Sequence, residues 1–156
     1  MLKHLQTIAC NPKHQIVLLY GTSGTGKSHL ASAAAIVNKG IYTTYEFLSM
    51  EIRASYAARA KKTENELMQY YCTVPFLVID EIDKGKNEEV KKTLLSHICR
   101  ERYERNRPIW LAGNCNYEWV KQMLDSSVID RMKQAGTSFC FDWESYRPKL
   151  RETRVS

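Results

Sequence analysis

The chain has 156 residues, of which 44% are hydrophobic and 26% are charged, so one domain with its own core is expected. No apolar run approaches the ~20 residues of a membrane span, and the N-terminal residues lack the apolar core of a signal peptide. These features argue against a membrane protein and predict a cytoplasmic one. The net charge of +6 favours a polyanionic partner. Odd in number and without a C-x-x-C pair, the cysteines are predicted to be reduced and mostly buried: Cys10, Cys72, Cys99, Cys115 and Cys140.

The first predicted elements are a strand, a glycine-rich loop and a helix. Ile16–Tyr20 is a short apolar run typical of a buried parallel strand. The loop GTSGTGKS, 21–28, has the spacing G-x-x-x-x-G-K-[ST]. Its glycines permit the positive φ angles that turn successive backbone N–H groups toward one phosphate. A helix predicted over His29–Asn38 adds the dipole of its N-terminus, so this order of elements favours a phosphate-binding loop over an ordinary glycine-rich turn.

Two side chains of this loop carry separate tasks. The Lys27 ammonium is expected to contact the β- and γ-phosphates, and the Ser28 hydroxyl to ligate Mg²⁺. The implied cofactors are ATP or ADP together with Mg²⁺. The residues predicted to bind the nucleotide are Gly21, Thr22, Ser23, Gly24, Thr25, Gly26, Lys27, Ser28 and His29.

A second strand is predicted over Ile41–Tyr45, and a helix from Glu46 to about Lys62. Thr63 and Glu66 then form the T-x-x-E pattern of a capping box, which opens another short helix.

The next strand ends in two acids, in the sequence FLVIDE over 76–81. The carboxyl end of a buried parallel strand lies at the ligand-binding edge of an open α/β sheet. This Walker B pattern predicts that Asp80 reaches Mg²⁺ opposite Ser28, and that Glu81 orients and polarises the attacking water. The alternative is a strand that ends in a solvated acidic turn.

Asn87 is predicted to cap a helix from Glu88 to about Glu104, and Pro108–Ala112 to form another strand. Asn114 follows that strand, where its amide could hold the attacking water or merely form an Asx turn; both interpretations remain open. With a last strand over Ser138–Phe141, the element order predicts an α/β fold: a parallel five-stranded sheet flanked by helices.

Two segments near the C-terminus are more specific: VIDRM, 128–132, and FDWESYR, 141–147. Together with GTSGTGKSHLA and FLVIDEI, they resemble the ATPase domain of the DnaC family of AAA+ helicase loaders, which is related to DnaI and IstB. The resemblance implies a single P-loop NTPase (AAA+) domain with an N-terminal extension (1–14), a core (15–147) and a flexible tail (148–156). It also implies that the C-terminal helical lid and the N-terminal partner-binding domain are missing.

The resemblance further assigns roles beyond the two Walker motifs. Asn114 matches sensor 1, Arg131 the arginine finger that reaches the γ-phosphate of a neighbouring subunit, and Arg147 the sensor 2 arginine. From residue type alone, Arg131 could instead pair with Asp130, and Arg147 with Glu144, on the surface. The catalytic residues implied are therefore Lys27, Glu81, Asn114, Arg131 and Arg147.

In this family a helical insertion after the second strand contacts single-stranded DNA. Arg53 and Tyr56 match a basic and an aromatic position there, and this pair suits a single strand because the cation follows the phosphates while the ring stacks on bases. The alternative is a packed Tyr56 and a solvated Arg53. The run Lys84-Gly85-Lys86 is a second DNA-contact candidate.

The function implied is that of an ATP-hydrolysing, DnaC-like DNA replication protein that helps load a DnaB-like replicative helicase onto single-stranded DNA. Subunits would assemble head to tail as a ring or spiral. Three alternatives remain: an IstB-like transposition helper acting on duplex DNA, a small-molecule P-loop kinase, and a nucleotide-gated adaptor that binds ATP without cleaving it. The intact Glu81 argues against the adaptor.

Overall fold

Five strands form one sheet in the order β2-β3-β4-β1-β5, and all neighbouring strands run parallel. The computed structural model describes residues 15–145. The strands are β1 (Ile16–Gly21), β2 (Ile41–Thr44), β3 (Leu77–Asp80), β4 (Ile109–Gly113) and β5 (Gly136–Phe141). The helices are α1 (Lys27–Val37), α2 (Tyr45–Ala54), α3 (Glu64–Thr73), α4 (Glu88–Glu104), α5 (Tyr117–Met123) and α6 (Ser126–Ala135). The five-stranded parallel sheet is confirmed.

The two faces of the sheet bury alternate residues of each strand, as the period of two in a strand requires. Val17 and Leu19 of β1 pack against the alanine-rich face of α1. Ile16 and Leu18 face the other way, into the larger core that the remaining helices cover. Small alanines let α1 lie close to the sheet, and this brings the first turn of α1 next to the carboxyl ends of the strands.

The predicted bounds differ from the structure most clearly in α2. This helix ends at Ala54, so the prediction of a helix up to about Lys62 is wrong. The Ser55 hydroxyl donates to the carbonyl of Ile52 at 2.6 Å, and residues 57–62 offer no large apolar side chain to bury, so packing does not extend the helix. Helix α1 begins at Lys27 rather than at His29.

Other local signals agree with the structure. The Thr63 side chain accepts the Glu66 N–H and Glu66 accepts the Thr63 N–H, which confirms the capping box. Asn87 caps α4 by accepting the Val90 N–H at 3.1 Å. Strand β5 begins two residues before the predicted Ser138. Two helices, α5 and α6, connect β4 to β5.

Some predictions concern chain segments outside the described residues: the extension 1–14, the tail 148–156, Cys10 and Arg147. Of the four described cysteines, all free, Cys72 and Cys99 are buried whereas Cys115 is half-buried and Cys140 exposed. None of the helices between residues 15 and 145 combines the length and the apolar character of a membrane span.

One buried arginine joins three segments at the base of the sheet. Arg102 is fully buried, and its guanidinium donates to the carbonyls of Tyr71 (2.7 Å), Val74 (3.0 Å) and Pro108 (2.6 Å). Burial lowers the pKa of Arg102 to about 10. This side chain thereby satisfies the Tyr71 and Val74 carbonyls at the end of α3, and it adds a second donor to the Pro108 carbonyl, which also accepts the Leu77 N–H at 3.2 Å.

We expect Arg102→Met to lower the free energy of unfolding by about 3 kcal/mol or more, because it leaves buried carbonyls without donors. Chemical denaturation followed by circular dichroism measures the change. Arg105→Met is the matched control, since Arg105 lies on the same helix end and forms an exposed pair with Glu101 at 3.0 Å, which is worth about 0.5 kcal/mol. Equal losses in the two variants would contradict a structural role for the three carbonyl contacts.

Candidate nucleotide-binding site

The loop between β1 and α1 has the backbone of a phosphate-binding loop. Gly21, Gly24 and Gly26 have φ angles of 125°, 80° and 95°, which side-chain-bearing residues rarely adopt. At Gly21 space is also limiting, since a Cβ atom would lie 2.3 Å from the carbonyl oxygen of Phe141. The loop therefore needs glycine at Gly21 for both conformation and packing.

Lys27 lies inside this loop rather than in solvent. Only 5% of the residue is exposed, and its ammonium donates to the carbonyls of Gly21 (3.2 Å) and Thr22 and to the Thr25 hydroxyl at 3.4 Å. A buried cation at the N-terminus of α1, surrounded by backbone dipoles, makes the loop suited to an anion such as a polyphosphate.

The carboxylate of Asp80 is held at the end of β3. Asp80 is buried, and its Oδ1 accepts the Glu81 N–H at 2.7 Å. Its Oδ2 accepts the hydroxyl of Tyr42, also at 2.7 Å. Burial and this bond to Asp80 raise the pKa of Tyr42, whose hydroxyl also lies near Ser28. The two predicted Mg²⁺ ligands, Ser28 and Asp80, thus lie on either side of one tyrosine hydroxyl, and both supply the hard oxygen atoms that Mg²⁺ prefers.

Glu81 begins a turn with an uncommon backbone conformation. Its φ of 54° lies in the left-handed region, which costs a non-glycine residue about 1–3 kcal/mol and persists where the surroundings enforce it. Hydrogen bonds of the next two residues hold this conformation. The Ile82 N–H donates to the Ala112 carbonyl at 3.1 Å, and Asp83 Oδ1 accepts the Asn114 N–H at 2.8 Å. The turn after β3 is therefore tied to the end of β4.

The side chain of Asn114 is exposed at this junction. In the sequence GNCN it is Asn116, not Asn114, whose side chain accepts the Trp119 N–H at 2.8 Å and caps α5. The local contact between an asparagine side chain and the following backbone is therefore made by Asn116. The sensor 1 assignment of Asn114 stays a prediction.

A second set of contacts joins the phosphate-binding loop to the end of β5. The Trp143 Nε1–H donates to the Thr25 carbonyl at 3.2 Å, and the Thr22 hydroxyl donates to the carbonyls of Phe141 (3.2 Å) and Trp143 (3.3 Å). The indole also packs on the Phe141 ring, with the ring centres 4.7 Å apart. These contacts therefore fix residues 141–143, which precede Arg147 in the chain, to the phosphate-binding loop.

Arg131 lies apart from its own phosphate-binding loop. It belongs to α6, which ends at Ala135 beside the start of β1, whereas the loop follows the opposite end of that strand. Its guanidinium donates to Glu104 at 2.6 Å. Asp130 pairs instead with Lys133 at 3.3 Å, so the alternative pairing of Arg131 with Asp130 is wrong. The finger assignment of Arg131 stays a prediction.

Both DNA-contact candidates line one groove of about 630 Å³. Tyr56 is 66% exposed, in the turn just after α2, which contradicts the alternative of a packed ring. Arg53 is exposed in the last turn of α2, and Lys86 reaches the groove from the turn after β3. Met50 and Val90 add exposed apolar surface to its walls. The groove thus combines cations with an accessible aromatic ring.

Sequence reasoning missed Tyr42, Asp83 and Trp143. The third acid in DEID is a local signal for Asp83, and Trp143 lies in the FDWESYR segment that carries the family resemblance. Tyr42 has no such signal, because its contact with Asp80 depends on β2 lying next to β3 in the sheet.

The fold and the site define a P-loop NTPase domain of the AAA+ class. The chain belongs to the family of IstB-like ATP binding proteins, whose family model matches residues 1–154. Among curated relatives, the replicative helicase loader DnaC of Buchnera aphidicola subsp. Baizongia pistaciae is 31% identical over 136 residues, 83% of this chain and 55% of that protein. The chain thus spans about half the length of the relatives that it matches.

Solved structures support the same fold. A crystal structure of the DnaC helicase loader matches with a TM-score of 0.69 and 16% identity, over 90% of this chain and 88% of that one. The replication initiator DnaA, bound to AMPPCP and single-stranded DNA, matches with a TM-score of 0.75 and 21% identity, over 98% of this chain and 49% of that one.

Proposed function

We propose that this chain is an ATP-hydrolysing AAA+ domain of a DnaC-like replication protein, which helps load a replicative helicase onto single-stranded DNA. The observation that carries the proposal is the meeting of Lys27, Ser28, Asp80 and Glu81 at one edge of the sheet, where the Tyr42 hydroxyl donates to Asp80 and lies near Ser28. A helicase of the DnaB type is the protein partner proposed, and the cytoplasm the location.

The donor set fits an ATP–magnesium complex. The glycine-rich loop supplies backbone N–H groups, and Lys27 supplies a positive charge for the phosphates. Ser28 and Asp80 would hold the metal ion, directly or through water. When bound there, Mg²⁺ would neutralise negative charge on the phosphates.

Hydrolysis is assigned to the residues around the turn after β3. Glu81 orients and polarises the attacking water, and the exposed amide of Asn114 holds that water from the neighbouring strand end. Arg147 is the proposed sensor 2 residue. The contact between Asp83 and the Asn114 backbone supports joint placement of Glu81 and Asn114.

Assembly is proposed to be head to tail. The position of Arg131, away from the loop of its own chain, supports a role in a neighbouring active site. A fixed rotation between such subunits generates a ring or a spiral. Arg131 would exchange its contact with Glu104 for the γ-phosphate of the neighbour.

Single-stranded DNA is proposed to bind in the groove that Arg53, Tyr56 and Lys86 line. Exposed aromatic rings stack on unpaired bases, and cations follow the backbone. Lys86 follows Glu81 by five residues, so DNA in this groove would lie next to the turn that carries Glu81.

We expect Tyr56→Ala to weaken single-stranded DNA binding roughly fivefold or more, because a stacking partner is lost. Fluorescence anisotropy at two salt concentrations measures the affinity, which should fall as salt rises. Tyr70→Ala is the control, since Tyr70 is also exposed, at 40%, but lies on α3 outside the groove. Unchanged affinity in folded Tyr56→Ala would contradict the groove assignment.

An IstB-like transposition helper acting on duplex DNA is the second candidate, favoured by the description of the matching family. The two candidates differ in the nucleic acid they prefer. Titration of single strands and duplexes of equal length at matched salt separates them, because the counterion contribution to affinity depends on ionic strength. Preference for duplex DNA would favour the transposition helper.

A further inference from the structure

We propose that Tyr42 is a positioning residue for the magnesium site, whose hydroxyl fixes the Asp80 carboxylate in the orientation that meets the metal ion. The inference rests on the proposed function, since it deepens the role of Ser28 and Asp80. It concerns a residue outside the Walker and sensor motifs.

The sheet register explains how Tyr42 reaches this site. Tyr42 of β2 pairs with Val78 of β3, two residues before Asp80. Residues two apart in a strand lie on the same face, so Tyr42, Val78 and Asp80 share the face that α1 covers. From there the long phenol ring carries its hydroxyl to the carboxyl end of the strand, where Asp80 and Ser28 lie.

The contacts of Asp80 show what the hydroxyl contributes. Oδ1 accepts the N–H of the following residue, Glu81, and Oδ2 accepts the Tyr42 hydroxyl, each at 2.7 Å. A carboxylate rotates about χ2 in a broad well, and donors on both oxygens restrict that rotation. Each carboxylate oxygen accepts more than one hydrogen bond, so the tyrosine leaves capacity for a metal-bound water.

The opposite effect would require the hydroxyl to compete with the metal ion for Asp80 and Ser28. A neutral donor that occupies one lone pair competes weakly with a divalent cation, whereas loss of orientation affects every metal-bound state. The Tyr42 hydroxyl donates directly to Asp80, so this contact can remain while Ser28 turns to the metal ion.

The test measures how much Mg²⁺ strengthens nucleotide binding, without relying on turnover. A fluorescent ADP analogue is titrated in saturating Mg²⁺ and in EDTA, and the ratio of the two dissociation constants gives the magnesium effect. We expect Tyr42→Phe to reduce this ratio roughly three- to tenfold, the range for one net hydrogen bond. The affinity in EDTA should stay unchanged, and Tyr70→Phe should behave as wild type.

A second background shows whether Tyr42 acts through Asp80. In Asp80→Asn, the magnesium effect should already be small, and adding Tyr42→Phe should change it no further, as for two residues of one interaction. An equal loss in both backgrounds overturns the proposal, as does an unchanged or larger magnesium effect in Tyr42→Phe alone. Absence of any magnesium effect in the wild type overturns the proposed metal site itself, and Tyr42's role with it.

Discussion

Glu81→Gln is expected to bind ATP with the affinity of the wild type and to lose turnover by roughly 10²–10⁴-fold, the contribution of a positioned general base. The amide keeps the shape of the side chain but cannot polarise the attacking water. The left-handed backbone at Glu81 and the anchored turn that follows it should hold the substituted side chain in the same place. Steady-state phosphate release, measured beside a binding isotherm, tests the prediction.

Two variants complete this experiment. Lys27→Ala should lose ATP binding itself, because no other group replaces the ammonium held inside the loop by Gly21 and Thr22. Glu88→Gln is the acidic control, since Glu88 is an exposed residue of the first turn of α4. If Glu81→Gln loses binding and turnover equally, Glu81 has a structural role rather than a catalytic one.

Mixing two inactive variants, Arg131→Ala and Lys27→Ala, is expected to restore ATP hydrolysis. Arg131→Ala keeps an intact phosphate-binding loop, and Lys27→Ala keeps an intact finger, so some mixed interfaces contain both. An arginine finger increases the rate of phosphoryl transfer roughly 10³-fold or more in other enzymes. Phosphate release at high protein concentration with single-stranded DNA present is the measurement, and each variant alone provides the background.

The design needs evidence of assembly and a control arginine. Light scattering reports whether the mixed subunits associate. Arg105→Ala should retain full activity alone, because Arg105 forms only an exposed pair with Glu101 on α4. If the mixture assembles yet remains as inactive as its parts, Arg131 is not a finger that acts between subunits.

The parts of the site that the sequence predicts are those with local causes. The glycines of the loop need their φ angles whatever surrounds them, and Asp80 is the last residue of a four-residue, otherwise apolar strand whose end must reach the sheet edge. The caps of α3 and α4 form between residues three apart. Such features depend on neighbours in the chain, so spacing alone carries them.

Other features depend on residues that are distant in sequence. Tyr42 meets Asp80 because β2 pairs with β3, Trp143 meets Thr25 because β5 pairs with β1, and Arg131 meets Glu104 because α6 packs beside α4. No periodicity encodes these partners.

The sequence by itself therefore determined the chemistry of this protein: a phosphate-binding loop, a strand ending in two acids, and a parallel sheet to bring them together. The tertiary structure decided which side chains orient that chemistry, with Tyr42 on the carboxylate of Asp80, and where α2 ends to leave Tyr56 exposed. The reason is physical. Backbone conformation and hydrophobic pattern act over a few residues, whereas orientation of a polar group is set by whichever donor or acceptor packing places beside it.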